Sequence, residues 1–413
     1  MTQELENTEI TEIARKIIKE GPICDNCLGR QFAKISSGLS NDTRGKILKD
    51  VLRTKGEELE EGKCWVCNGL FKNKNLEAWV TKALEALTEY EFDSFLVGTK
   101  VSGMLLETEE LMWEVTGASY AEPLKAELNR EVGKRIEHET ETSADFERQD
   151  LVVLLNLWTD EVELQVNQVY IYGRYKKFKR GIPQTRWFCR ECRGKGCENC
   201  NFTGKMYDES VEELISGSVL DEFRGADMVL HGSGREDIDA RMLGSGRPFV
   251  IEIKEPRRRK LDLQILGQKV KEENKGKLEV TGLQYVEKEM VAKIKNAKAD
   301  KTYRVEVELK TKVLEEDLRN ALEKLNGAVI EQRTPTRVVH RRADLVRRRK
   351  VYSARLVSFD KVSSIELKCD GGLYIKELMS GDCGRTKPSL SDMLETEVEV
   401  KELDVVDVDI EIQ

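Results

Sequence analysis

The densest chemistry in this chain lies between residues 231 and 254, HGSGREDIDARMLGSGRPFVIEIK. Three carboxylates, Glu236, Asp237 and Asp239, stand between Arg235 and Arg241 in a turn punctuated by Gly232, Gly234, Gly244 and Gly246. Glycine opens backbone conformations closed to other residues and lets a second molecule come close. A carboxylate beside an arginine stays ionised at neutral pH. The alternation of Phe249, Ile251 and Ile253 with Val250, Glu252 and Lys254 then reads as a strand that carries the loop. The pattern suits a charge aimed at a substrate, although a solvated turn with local ion pairs has the same composition.

Histidine chemistry is disfavoured, because His138, His231 and His340 stand in no metal-ligand or triad spacing. One carboxylate chemistry joins Asp237 and Asp239 to Glu252 and Lys254 as a D…ExK set that holds a divalent metal for phosphodiester cleavage. That would be a nuclease. Neither a dinucleotide fingerprint nor a phosphate-binding P-loop occurs, which argues against nucleotide-driven reactions.

Eight of the ten cysteines fall into CxxC pairs. Cys24/Cys27 and Cys64/Cys67, separated by a helical insert, have the spacing of a four-thiolate zinc site in which each pair forms a knuckle. Cys189/Cys192 and Cys197/Cys200 form a second, tighter set, with less room between the pairs. Cys369 and Cys383 are left over. Such cysteine usage fits a reducing compartment. The N-terminus lacks a basic start followed by an apolar core, and no apolar run approaches the ~18 residues of a membrane span, so a cytoplasmic protein is expected.

With a net charge of −8 the chain has no global basic field, so any nucleic-acid site must be local. Two stretches qualify. From residue 173 to 190, seven basic residues accumulate without an acidic one, interleaved with Tyr175, Phe178 and Trp187. Phosphates need cations and unpaired bases need flat apolar faces, so the mixture suits RNA. Between Arg333 and Arg355 stand nine lysines and arginines and one acid, Asp344. Arg257, Arg258, Arg259 and Lys260 add a further patch, and a solvated basic face is the bland alternative for each.

Positioning these groups requires a large scaffold, and the length suggests about three domains. Apolar spacing predicts helices over residues 8–20, 42–55 and 76–87, then two strands at 151–158 and 162–172 joined through Thr159-Asp160. Ser210 with Glu213 forms a capping box for a helix over 211–223. Strands and helices then alternate: a strand from residue 226 to 231, another at 249–254, a helix at 261–273, strands at 278–287 and 301–309, a helix at 315–325 and a strand at 328–333. Residues 365–368 and 373–376 read as a hairpin about Gly371-Gly372, and 397–412 as terminal strands.

Asp237 ends a Gly234-Arg235-Glu236-Asp237 tetrad, and this G-R-x-D pattern resembles the pseudouridine synthase superfamily. Tyr303 in KTYRVEVEL stands where that superfamily has a strand tyrosine. Gly372-Leu373-Tyr374-Ile375-Lys376 is similar to its late GTYIR-like strand, with leucine in place of the usual threonine. GREDIDARMLGSGRPF, RTPTRVVHRR and GGLYIKELMSGDCGRTKPS further resemble the archaeal and eukaryotic tRNA pseudouridine synthase family numbered ten, most specifically from 210 to 389 and least from 70 to 170.

The resemblance implies an α+β protein with a zinc-bearing THUMP-like α/β module and a mixed-sheet catalytic domain. It divides the chain into a zinc-bearing segment (1–75), a THUMP-like RNA-binding domain ending in the second cysteine cluster (76–205), and the catalytic domain (206–413). It implies that Asp237 is catalytic, that Tyr303 stacks on uracil, that Tyr374 and Arg235 line the same pocket, and that Lys376 pairs with Asp237. Zinc would be structural, with no organic cofactor. The partner would be tRNA, without a membrane, and the protein a monomer that isomerises uridines 54 and 55 of the T-loop. A non-catalytic tRNA-binding protein would keep the same cysteines and basic patches.

Overall fold

The computed structural model describes residues 4–35, 38–101 and 103–410, in two compact units, Met1–Asn167 and Gln168–Gln413. The first begins with helices α1 (Thr8–Lys19), α2 (Asp25–Arg30), α3 (Asn41–Thr54) and α4 (Asn73–Leu87). Asn7 caps α1 by accepting from the Glu9 amide at 3.0 Å, and Ile10, Ala14, Ile17 and Ile18 line its buried face. Helices α2 and α3 touch backbone to backbone. A Cβ on Gly29 would lie 1.8 Å from the Asn41 carbonyl oxygen, and one on Gly45 2.0 Å from that of Asp25.

Next come β1 (Ser94–Lys100), α5 (Gly103–Thr116), α6 (Leu124–Thr140), β2 (Ser143–Ala144), β3 (Leu151–Asn156) and β4 (Glu161–Val166), whose strands form a sheet in the order β2-β1-β3-β4. Helices and sheet share one apolar core, from Leu5 and Leu28 to Phe95 and Leu155. Helix α4 runs across residue 75, where the sequence suggested a division.

The second unit opens on β5 (Val169–Lys177) and continues through α7 (Val211–Phe223), β6 (Asp227–Gly232), β7 (Arg241–Lys254), α8 (Leu263–Glu273), β8 (Leu278–Val286), α9 (Glu289–Asn296) and β9 (Ala299–Leu309). It closes with α10 (Glu315–Leu325), β10 (Val329–Arg333), β11 (Val346–Ser358), β12 (Val362–Cys369), α11 (Ile375–Ser380), β13 (Thr386–Lys387), α12 (Leu390–Leu394) and β14 (Val398–Ile410). Among the described residues these strands make a mixed ten-stranded sheet, β13-β10-β11-β12-β9-β14-β7-β5-β8, with β6 also on β7. All its pairings are antiparallel except β14 with β7. Phe249, Ile251, Val305, Val307 and Leu367 lie in the core that the helices cover.

Three expectations change. The strand expected over 162–172 is two strands: β4 pairs with β3 in the first unit, and β5 pairs with β7 and β8 in the second. The apolar positions change phase across Asn167 and Gln168, from Val162, Leu164 and Val166 to Val169 and Ile171, and a bulge within one strand would give the same pattern. Residues 168–205, with the second cysteine set, accordingly fall in the second unit. The hairpin about Gly371-Gly372 is absent. Instead Tyr374 caps α11, and its backbone exchanges two hydrogen bonds with the Gln332 side chain at 2.8 and 2.9 Å, a tertiary contact that withdraws it from a ladder. Ile412 lies outside the described residues.

Candidate active site

Asp237 lies in the loop from β6 to β7, and that loop is held from beneath by a buried ionic cluster. The Glu236 and Arg247 side chains are each 1% exposed, with Arg247 Nε donating to Glu236 Oε2 at 2.7 Å. Tyr175 Oη donates to both Glu236 oxygens at 2.9 and 3.0 Å, and Lys177 Nζ is 3.7 Å from Glu236 Oε1. Burial alone would push the Glu236 carboxyl up. Arg247, then Lys177 and the Tyr175 hydroxyl, outweigh it and hold the group ionised, below its ordinary value.

The same cations grip the loop backbone. Arg247 Nη1 donates to the Ser233 carbonyl at 2.8 Å, Lys177 Nζ to those of Ile182 at 2.7 Å and Ile238 at 3.3 Å, and Gln184 Nε2 to that of Gly234 at 3.0 Å. Asp237 thus stands on a loop fixed by buried side chains at several backbone carbonyls.

Above the platform opens a cleft of about 810 Å³, lined by Asp237 with Arg235, Tyr303, Arg337, Arg349 and Tyr374 among others. That is within the ~300–1,000 Å³ of ordinary ligand pockets. The Asp237 carboxylate is 31% exposed and meets Arg337 through two contacts, Nη1 to Oδ1 at 3.3 Å and Nη2 to Oδ2 at 3.1 Å. Arg337 is itself oriented by Glu377, which accepts from Nε at 2.6 Å. Lys376 Nζ is 3.7 Å from Asp237 Oδ2 but 2.6 Å from Asp239 Oδ2. The expected lysine is present, therefore, while the closer cation on Asp237 is an arginine exactly one hundred positions away, visible beforehand only as part of RTPTRVVHRR.

Tyr303 is 9% exposed on β9, and burial pushes its hydroxyl pKa up. Tyr374 lies under Arg337, whose Cζ is 5.9 Å from the ring centroid. Arg235 lies 5.3 Å over the Trp187 ring and donates to Thr185 Oγ1 at 2.9 Å. Trp187 also lines the cleft. Arg342, Arg347 and Arg349 bring the later basic run to the same opening, whereas four cations of the 173–190 run are engaged within the protein. Lys177 is buried, Arg180 reaches Asp404 at 2.8 Å, Arg174 donates to the Val408 carbonyl at 2.5 Å, and Arg186 pairs with Glu213 at 3.1 Å.

The D…ExK set does not assemble. Glu252 contacts His231 at 2.9 Å and Lys254 contacts Asp227 at 2.9 Å along the β6–β7 pairing, and neither lines the cleft. Among the described residues, the groups of three or more side chains suited to a metal are the two cysteine tetrads.

Each tetrad fits zinc. Four thiolates at about 2.3 Å from a tetrahedral ion lie about 3.8 Å apart. Here Cys24 and Cys67 Sγ are 3.6 Å apart, Cys189 and Cys197 3.8 Å, and Cys192 and Cys200 3.8 Å. Cys27, Cys64, Cys67, Cys189 and Cys200 are buried. Arg30 Nη1 donates to Cys27 Sγ at 3.0 Å, the kind of outer contact that offsets the charge of a tetrathiolate. A tetrad leaves no open position, so the metal these residues would hold is structural.

Residues 170–409 match the family described as Pus10, C-terminal, and residues 79–156 match that described as Pus10 THUMP domain, archaeal. Fold and cleft therefore define a THUMP-bearing protein with a pseudouridine-synthase catalytic unit. Curated relatives match along almost the whole length. The chain is 47% identical over 429 residues to the tRNA pseudouridine synthase Pus10 of Methanothrix thermoacetophila, covering 97% of this chain and 95% of that one. It is 43% identical to that of Halorubrum lacusprofundi, covering 97% and 96%, and 42% identical to that of Methanocaldococcus jannaschii, covering 97% and 94%. The chain belongs to the Pus10 family of tRNA pseudouridine synthases.

Proposed function

We propose that this chain converts uridine to pseudouridine at positions 54 and 55 of the tRNA T-loop, with Asp237 as the reacting carboxylate and zinc in both cysteine tetrads. The observation that carries this reading is the Asp237 carboxylate, accessible in a nucleoside-sized cleft beside Tyr303 and held by Arg337. The C1′–N1 bond must break, the uracil must turn in place, and C5 must bond to C1′. All this requires the nucleotide to leave its stack and enter a closed pocket. Asp237 serves this by attacking C1′ or by removing a ribose proton. Tyr303 supplies a flat face for the uracil, Tyr374 and Arg235 line its surroundings, and Lys376 adds positive charge behind the carboxylate. Arg342 and Arg347 at the opening suit the flanking phosphates.

No described helix is long and apolar enough to cross a membrane. Cysteines grouped in metal-suited tetrads fit a reducing compartment and support action on tRNA in the cytoplasm. The test is an unmodified tRNA transcript incubated with the protein in EDTA, followed by single-nucleotide mapping of pseudouridine. Asp237→Asn should abolish product while leaving tRNA affinity nearly unchanged, since one carboxylate adds little to phosphate binding. Pseudouridine formed by that variant, or strand scission that stops with chelator, refutes the reading.

A further inference from the structure

Lys301 is a cation in the cleft that the reading above does not use. It precedes Tyr303 by two residues on β9, so both side chains project from the same face of the strand, and both line the cleft with Asp237. Its neighbouring cations in the cleft are engaged: Arg247 with Glu236, Arg337 with Asp237 and Glu377, and Arg349 with the Gly371 carbonyl. Among the described residues, the Lys301 ammonium has no hydrogen-bond or ion-pair partner.

Two glycines make room for it. A Cβ on Gly234 would lie 3.3 Å from Lys301 Nζ, and one on Gly371 3.6 Å from it. Gly234 has φ of +76°, so a side chain there is strained as well as crowded. An ammonium held in a notch with three N–H donors and no protein acceptor is stabilised only when something else supplies the acceptor.

We infer that Lys301 is a further catalytic residue, whose ammonium donates to a carbonyl oxygen of the everted uracil and stabilises the uracil anion formed when the C1′–N1 bond breaks. This rests on the pseudouridine synthase reading. The bond's electron pair passes to N1 and spreads onto O2 and O4, while C1′ gains an Asp237 oxygen or the ribose loses a proton to Asp237. After the uracil turns, C5 bonds to C1′ as the Asp237 oxygen leaves C1′ or Asp237 returns the proton to the ribose, and then the C5 proton leaves and N1 takes one up. Lys301 remains an ammonium throughout, and the net change is an isomerisation. A fixed cation at developing negative charge acts in the transition state more than on substrate binding. The surroundings agree: burial, with the Arg247 guanidinium beside it, lowers the Lys301 pKa to about 8, against weaker opposing effects of Cys369 and Glu236. Such a group is poorly neutralised by the protein itself.

The experiment uses the full chain, an unmodified tRNA transcript and one carrying 5-fluorouridine, whose fluorine stabilises the departing anion without help. Lys301→Met should slow single-turnover conversion of uridine by about 100-fold, with tRNA Kd and melting temperature unchanged. Its defect, read as loss of the starting nucleoside by mass spectrometry, should shrink for 5-fluorouridine. Lys301→Gln, which keeps a donor without the charge, reads the same effect should the methionine variant melt early. A variant at the wild-type rate, a loss expressed in Kd, or an equal defect on both transcripts overturns the inference. Failure of the wild-type protein to form pseudouridine overturns the underlying reading instead.

Discussion

Replacing Glu236 by glutamine removes one negative charge from a cluster in which Arg247 and Lys177 are both buried. The shape is kept, and the Tyr175 hydroxyl still has an acceptor, so the loss is mainly that of the counter-charge. Leaving one member of a buried ion pair uncompensated costs about 3–5 kcal/mol. For a unit of this size, at about 2 °C per kcal/mol, that corresponds to a melting point lower by roughly 6–10 °C. Because Arg247 and Lys177 also hold the Ser233 and Ile238 carbonyls, the Asp237 loop should loosen. A displacement near 1 Å in a reacting group costs about 100-fold in rate.

The assays are thermal melting and single-turnover pseudouridine formation for Glu236→Gln, Arg247→Met and the double variant. The double variant should be less destabilised than the sum of the singles by more than about 1 kcal/mol, since removing both charges leaves less unpaired. The pH dependence carries the sign. Glu236 titrates below its ordinary value in the folded chain, so its contribution is complete above the unfolded pKa and is lost as pH falls through the folded one. The glutamine variant should lack that acid-side loss. Additive single effects, or a variant as stable and active as the parent, would refute the account of the platform.

Arg337→Met should lower the single-turnover rate at least tenfold, by an estimate of about 1.4 kcal/mol of lost positioning at Asp237. It should also destabilise the chain by about 1–3 kcal/mol, because Glu377, 7% exposed, loses its charged partner. Metal analysis of the purified chain should find two zinc ions, one for each tetrad. Cys27→Ser should reduce this to one and destabilise the first unit, read as earlier loss of its helical signal on heating. Gly45→Ala should destabilise the same unit by about 3 kcal/mol or more, because its Cβ would overlap the Asp25 carbonyl and the α2–α3 backbones would have to separate. An alanine variant that melts with the parent would contradict that packing.

What the sequence determined by itself was local. The CxxC pairs lie within one turn of chain, so spacing alone identified both tetrads. Ser210 capping Glu213 at 3.2 Å and the apolar face of α1 follow from hydropathy and side-chain reach over a few residues. The acidic loop was recognisable because its glycines and charges are contiguous. Tertiary structure decided which charges meet. Arg337 comes to Asp237 across one hundred residues, Lys177 leaves its basic run to be buried under Glu236, and Lys301 finds space only where Gly234 and Gly371 converge. It also ended β4 and began β5 across Asn167-Gln168, a phase change that a bulge in one strand would show equally. The physical reason is that periodicity records which face of an element is apolar, whereas the partner of a buried charge is set by strand order and register, which no single segment encodes.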